Sequence, residues 1–174
     1  MGNISKLSKI KTVVEVDQSG KFEDTKFDTV LAYSNGFAHT IIVPKRTKRE
    51  AILILRKLGK TGTTFYLQLF TICLYLLIKN RLNDLTTIII DEEYVARNRD
   101  IKRQLLNLIN KIKPDYESEN INFRRIGKES PAHNLAINCL RRKIRADKVI
   151  KLQEILELIL SKSEIKKIGG SLRR

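Results

Sequence analysis

Thr86-Thr87-Ile88-Ile89-Ile90-Asp91-Glu92-Glu93-Tyr94-Val95 is the stretch on which the fold turns. Its five consecutive β-branched residues suit a strand buried on both faces, as parallel strands inside α/β sheets are. The run then stops at three acids. Helix-period patterns lie on either side. Upstream, Phe65 to Ile78 is apolar nearly all round. Downstream, Arg97 to Ile112 puts Ile101, Leu105, Leu108 and Ile112 on one face, and Pro114 closes it.

Toward the N-terminus the period shortens. Val13-Val14-Glu15-Val16-Asp17 reads as a buried strand ending in an acid, followed by a turn at Gln18–Lys21. Phe27 to Tyr33 is a second strand, Ser34-Asn35-Gly36 a hairpin turn, and His39 to Val43 a third strand stopped by Pro44. Thr47 is the expected N-cap of a helix from Lys48 to Leu58, and a second helix fills Thr63 to Asn80. Beyond the central run, Ile121 to Ile126 is a fifth strand. Ser130-Pro131 opens another helix with a favoured cap and first residue. Val149 to Leu160 is a last amphipathic helix, with Leu152, Ile155, Leu156 and Ile159 inward. The expectation is an α/β fold: a mixed five-stranded sheet flanked by helices, with an extra apolar helix and a C-terminal helix. Residues 1–11 are expected to be a flexible basic arm, 12–147 the domain, and 148–174 a C-terminal helix with a frayed tail.

The 174 residues suit one core. Lys and Arg number 34 against 19 Asp and Glu, a net charge of +15 that points to a polyanionic partner. The excess is uneven: residues 1–94 hold 14 basic and 10 acidic side chains, residues 95–174 hold 20 and 9. Two cysteines, Cys73 and Cys139, exclude a disulfide scaffold and a four-thiolate zinc site, and read as buried apolar residues of a reducing, cytoplasmic setting. The 14-residue run Phe65–Ile78 falls short of the ~20 residues that span a bilayer, so it reads as a core helix. The N-terminal residues Met1–Lys6 have no apolar signal core.

Asp17 and Asp91 each end a strand. If those strands are parallel neighbours, the two carboxylates emerge together and need a compensating charge, for which a hard divalent cation such as Mg²⁺ is the usual partner. Glu92 and Glu93 are adjacent reserves. Val16-Asp17-Gln18-Ser19-Gly20, a hairpin, and Arg49-Glu50-Ala51 in a helix resemble the ribonuclease H-like superfamily. Ile90-Asp91-Glu92-Glu93-Tyr94-Val95 is similar to its fourth-strand motif. Gly127-Lys128-Glu129-Ser130-Pro131-Ala132-His133-Asn134-Leu135-Ala136 is similar to the loop and helix that carry its last metal ligand. The likeness covers residues 12–145. It implies a phosphodiester-cleaving nuclease with two Mg²⁺ or Mn²⁺ ions held by Asp17, Glu50, Asp91 and His133. The chain departs from the pattern in the 41-residue step from Glu50 to Asp91, in Gln18 where the family has glycine, in Lys128-Glu129, and in its last helix.

Three basic clusters are candidate nucleic-acid contacts: Lys45, Arg46, Lys48 and Arg49; Arg97 and Arg99, with Lys102 and Arg103; and Arg141, Arg142, Lys143 and Arg145, with Lys148. The absence of tryptophan and the 6% aromatic content speak against a base-stacking platform and for backbone recognition. No pattern calls for a small-molecule cofactor. His39 reads as a strand residue without a metal role. Two other readings remain open at this level. One is a catalytically inactive nucleic-acid-binding protein of the same fold. The other is a membrane-associated or assembly subunit, or a homodimer, that uses an exposed apolar helix.

Overall fold

The computed structural model describes residues 12–59, 62, 64–161 and 163–165. The expected basic arm and the end of the tail lie outside them. Six strands form one mixed sheet: β1 (Thr12–Ser19), β2 (Thr29–Asn35), β3 (Phe37–Val43), β4 (Leu85–Asp91), β5 (Ile121–Arg124) and β6 (Lys148–Val149). Their order across the sheet is β5-β4-β1-β2-β3-β6. β1, β2 and β3 are an antiparallel meander, whose tight turn places Asn35 and Gly36 at positive φ. β4 lies parallel to β1, with Val16 opposite Ile90, and β5 lies parallel to β4.

Five helices cover the sheet: α1 (Lys45–Lys57), α2 (Thr64–Ile78), α3 (Asn98–Ile109), α4 (Pro131–Leu140) and α5 (Leu152–Ile159). The alternation along the strands sorts them into layers. Val14, Val16, Leu31, Tyr33, Ile41, Ile88 and Ile90 point into the larger core, where they join Leu55 of α1, most of α2, Leu105 of α3 and Ile155 of α5. Val30 and Ala32 point the other way, onto Ala136 and Cys139 of α4. Four helices therefore share one face, and α4 alone lies on the other. Both cysteines are buried and free.

The apolar helix α2 is spent in the core. Phe65, Leu69, Ile72, Leu76 and Ile78 are all buried, and the helix lies against α3, α5 and the meander. No exposed apolar face of it remains for a membrane or a dimer partner. Among the described residues no helix is long and apolar enough to cross a membrane.

Most strand and helix boundaries shift by one to three residues from the sequence expectation, and four differences have a visible structural setting. The sheet has six strands, because Lys148-Val149 pairs with Ile41-Ile42 before the last helix starts. That helix begins at Leu152, where the Glu154 carboxylate accepts from the Lys151 amide. α1 begins at Lys45, three residues before the expected start, because the Asp28 carboxylate accepts from the Lys45 amide and satisfies the first turn. α3 ends at Ile109, so Ile112 lies beyond it and is exposed.

The β1–β2 connection is pinned by one close approach. Gly20 has φ +79°, and a Cβ there would sit 2.4 Å from the Asp28 carbonyl oxygen. A side chain would clash with backbone in a conformation that L-residues disfavour. Gly20→Ala is expected to destabilise the fold by at least ~2 kcal/mol, a fall in Tm of about 4–8 °C by thermal denaturation.

Candidate metal centre and nucleic-acid surface

The β1–β4 register sets two acids side by side. Val16 faces Ile90, so the next residues, Asp17 and Asp91, leave adjacent parallel strands at the same end. Asp17 shares its sheet face with Ala32, its partner on β2, and so lies on the α4 side. A turn in which the Glu93 amide donates to the Asp91 carbonyl at 2.9 Å folds Glu93 back beside them. Ligand atoms of Asp17, Asp91 and Glu93 all lie within 4.8 Å of one another. Oxygens on opposite sides of an octahedral ion with ~2.1 Å bonds are ~4.2 Å apart, so three carboxylate donors within 4.8 Å could close on one small divalent cation with a small inward adjustment.

His133 approaches one member of the group from α4. Its Nδ1 is 2.9 Å from Asp17 Oδ2. With Asp17 ionised, Nδ1–H donates to it and Nε2 is left as the basic nitrogen. His133 therefore meets Asp17 but does not reach the whole trio. Its place is set by the helix start. Ser130 caps α4 by accepting from the Ala132 amide, and its hydroxyl donates to Glu15 Oε2 at 2.7 Å. Glu15 also binds Arg124 of β5. The Ser130 hydroxyl, and then Arg124, hold the Glu15 carboxyl below its ordinary range. Glu15 thus ties the first turn of α4 to β1, two residues before Asp17.

The acids strain against one another. Asp17 is 4% exposed. Burial, and then the charge of Asp91, raise its pKa against the opposing Gln18 amide and His133. Burial, Asp91 and Asp17 raise Glu93, with Lys21 opposing. Asp91 is steadied by the Ile126 amide, which donates to its Oδ1.

The remaining expected site residues fall elsewhere. Glu50 does not join the cluster. It lies on the outer side of α1, where Arg46 Nε donates to it at 2.9 Å. Glu93 takes the third position instead, and Glu92 accepts from Asn98. Glu93 was legible only as a neighbour of Asp91, because the turn that folds it back has no glycine or proline signal. Glu15 gave no signal beyond a charge in a strand. His39 sits 3.5 Å from Asp147 and away from the acids.

Lys48 needs correction as a nucleic-acid contact. It is 1% exposed, and its ammonium donates to the Lys21 carbonyl at 3.0 Å, the Asp24 carbonyl at 2.7 Å and Thr29 Oγ1 at 2.8 Å. All three protons are used inside the fold, latching the β1–β2 connection that brings Lys21 and Glu23 toward Glu93. Glu23 in turn accepts from the Tyr94 hydroxyl at 3.1 Å. Burial pushes the Lys48 pKa down to about 8, against the pull of Asp24, Asp28 and Glu23.

The surface cations divide by pairing. Arg46 binds Glu50, Arg97 and Arg103 both bind Asp100, and Arg49 donates to the Thr25 carbonyl. Arg141, Arg142, Lys143 and Arg145 are all exposed, and none makes an ion pair with a described carboxylate. Lys148 binds Glu154.

Two measurements follow from the shifted groups. A carboxyl whose pKa is higher folded than unfolded loses stability as pH rises from the unfolded value through the folded one. Asp17→Asn is therefore expected to melt higher than the native chain at pH 7 in chelator, by about 2–4 °C for ~1 kcal/mol of relieved repulsion. The difference should close below pH ~4, near the ordinary Asp value. A lysine whose pKa is lower folded than unfolded acts in the opposite sense: between about 8 and 10.5 the unfolded chain holds more protons, so the native fold gains stability with pH. Denaturant titrations should show native stability rising relative to Lys48→Met across that window. Parallel pH profiles would remove the assignment of the shift to Lys48.

In comparisons with known proteins, no family model, no curated protein and no solved structure matches this chain.

Proposed function

We propose that this protein is a ribonuclease H-like nuclease that hydrolyses phosphodiester bonds with a divalent cation held at its acidic cluster. The observation that carries the reading is the convergence of Asp17, Asp91 and Glu93 just past the last paired residues of two adjacent parallel strands, with His133 on Asp17. The strand order β5-β4-β1-β2-β3, an antiparallel meander beside a parallel pair, is compatible with that fold; β6 is an addition at the edge.

Mg²⁺ or Mn²⁺, held by the three carboxylates, would supply a water of lowered pKa and charge stabilisation for the departing oxygen. Each residue has a part of its own. Asp17 and Asp91 present oxygens at one fixed separation, because the register of β1 and β4 sets it. Glu93 adds a third oxygen from a turn. His133, fixed by Asp17 through Nδ1, keeps Nε2 to take or return a proton. Glu15 and Ser130 position His133. Burial leaves the Asp17 carboxylate poorly solvated, so it gives up little water of its own on meeting a cation. The charge of +15 supplies attraction for a polyanionic substrate.

Labelled RNA–DNA hybrid, duplex DNA and branched DNA incubated with Mg²⁺ or Mn²⁺ provide the test. Cleavage of at least one substrate is expected. Asp17→Asn and Asp91→Asn should each lower it at least ~100-fold, since even partners of metal ligands cost 10–100-fold when removed. Glu93→Gln should also lower it, and Glu50→Gln should not. Cleavage unchanged in both Asp variants would reject the site.

A further inference from the structure

The segment after α4 joins three features that the acidic site does not explain. The first is a backbone conformation. α4 ends in a Schellman motif: the Arg142 amide donates to the Cys139 carbonyl at 3.0 Å, and the Lys143 amide to the Asn138 carbonyl at 2.9 Å. The motif needs a left-handed residue at its centre, normally glycine. Here that residue is Arg142, at φ 60°. The chain accepts a steric penalty there and gains an arginine side chain.

The second feature is rigidity. The far end of the loop is locked by Asp147, whose Oδ2 accepts from the Thr40 amide at 2.7 Å and from its hydroxyl at 2.8 Å. The loop's one acid is thereby turned onto β3, away from the loop's cations. The third is the surface itself. Arg142, Lys143 and Arg145 line a shallow cleft of about 380 Å³, together with Ile42, Ile144 and Val149. Its cations make no ion pair among the described residues, whereas Arg46 on α1 and Arg97 and Arg103 at α3 are matched to acids of their own.

We propose that the 141–145 loop is a preformed clamp for the sugar–phosphate backbone of a nucleic-acid duplex, set at a fixed distance from the acidic site. The inference rests on the nucleic-acid reading given above and deepens it. The distance comes from α4. His133 and Leu140 are seven residues apart on α4, about 10 Å at the rise of a helix, and the capping turn carries Arg142 just beyond that end. Phosphates on one strand advance ~3.4 Å per base pair along a duplex axis. With α4 lying along the duplex, the clamp would hold the strand about three to four phosphates from the bond at the acidic site. The apolar cleft floor suits sugar carbons, and the absence of aromatic side chains in it excludes base stacking.

The test is salt-dependent binding of a labelled 24-base-pair duplex by the full chain, with chelator present so that nothing is cut. Arg142→Gln, Lys143→Gln and Arg145→Gln combined should make the slope of log K against log salt shallower by about 2–3 units, since each phosphate contact contributes ~0.9. Arg56→Gln with Lys57→Gln, on the opposite face of the sheet, should leave the slope unchanged. Arg142→Gly should bind more weakly while melting as high as the native chain or higher, because glycine relieves the left-handed position. A residue there for structure alone would not separate the two readouts in this direction. An unchanged slope in the triple variant, or an equal change in the α1 control, overturns the clamp.

Cleavage then separates the two readings. Binding that depends on the loop, with no cleavage of any substrate, leaves the clamp standing and removes the nuclease. Cleavage that is indifferent to the loop does the reverse. If the native chain cuts, duplexes trimmed to fewer than about four pairs on one side of the scissile bond should lose their dependence on the loop. A length threshold that persists in the triple variant overturns the spacing. Loop-dependent binding of an acidic peptide, with none of the duplex, overturns both readings.

Discussion

Two carboxylates placed where the pairing of adjacent parallel strands ends repel each other, and much of this chain is arranged around that repulsion. The pairing of β1 with β4 places Asp17 beside Asp91, and no side-chain rotation can part them by more than a few ångströms. The strands are parallel because α1 and α2 intervene, so β4 cannot return by a hairpin. Asp17 is then buried on the α4 side of the sheet while Asp91 stays partly open, and the helix is tied down through Ser130 and Glu15. Raised acid pKa values, the His133 contact and the short reach of Glu93 all descend from one register.

The apolar patterns carried most of the fold in the sequence. The isoleucine run at 88–90, the strand alternation of residues 12–43 and the cap at Ser130-Pro131 each follow from local physics, and each reappears at about its expected position. Boundaries that depend on distant partners did not. Asp28 lengthens α1, and Ile41-Ile42 recruits Lys148-Val149 into the sheet. Neither partner is near in sequence, so neither could register in a local pattern. The candidate site shows the same division. Asp17 and Asp91 were legible because an acid that breaks an apolar strand run is a local feature, although β1 itself continues to Ser19. His133 was legible only through the resemblance. Glu50 and Lys48 could not be told apart from true site or surface residues, because which side of α1 faces inward near its N-terminus depends on the β1–β2 connection above it.

That connection shows how a charge can serve structure while sitting among residues that serve a surface. Lys45, Arg46, Lys48 and Arg49 look alike in the sequence. In the fold one ammonium is fully enclosed, one guanidinium is matched to a carboxylate, and another reaches a carbonyl. The 141–145 loop is the opposite case: its backbone is held at both ends and its cations are left open. Counting charges along a segment says little about the field it projects; what matters is which of them the fold has already neutralised.

The buried helix α2 has a consequence for how the protein comes into being. It emerges in synthesis before β4, α3 and α5, which enclose much of its surface. Until they follow, its twelve apolar residues are covered only by the meander and α1. A nascent chain in that state exposes a surface prone to self-association, so the interval between residue 78 and the arrival of α5 near residue 152 is when it most depends on slow elongation or a chaperone. The hydrophobic density that makes the finished core secure is thus a liability while the chain is incomplete.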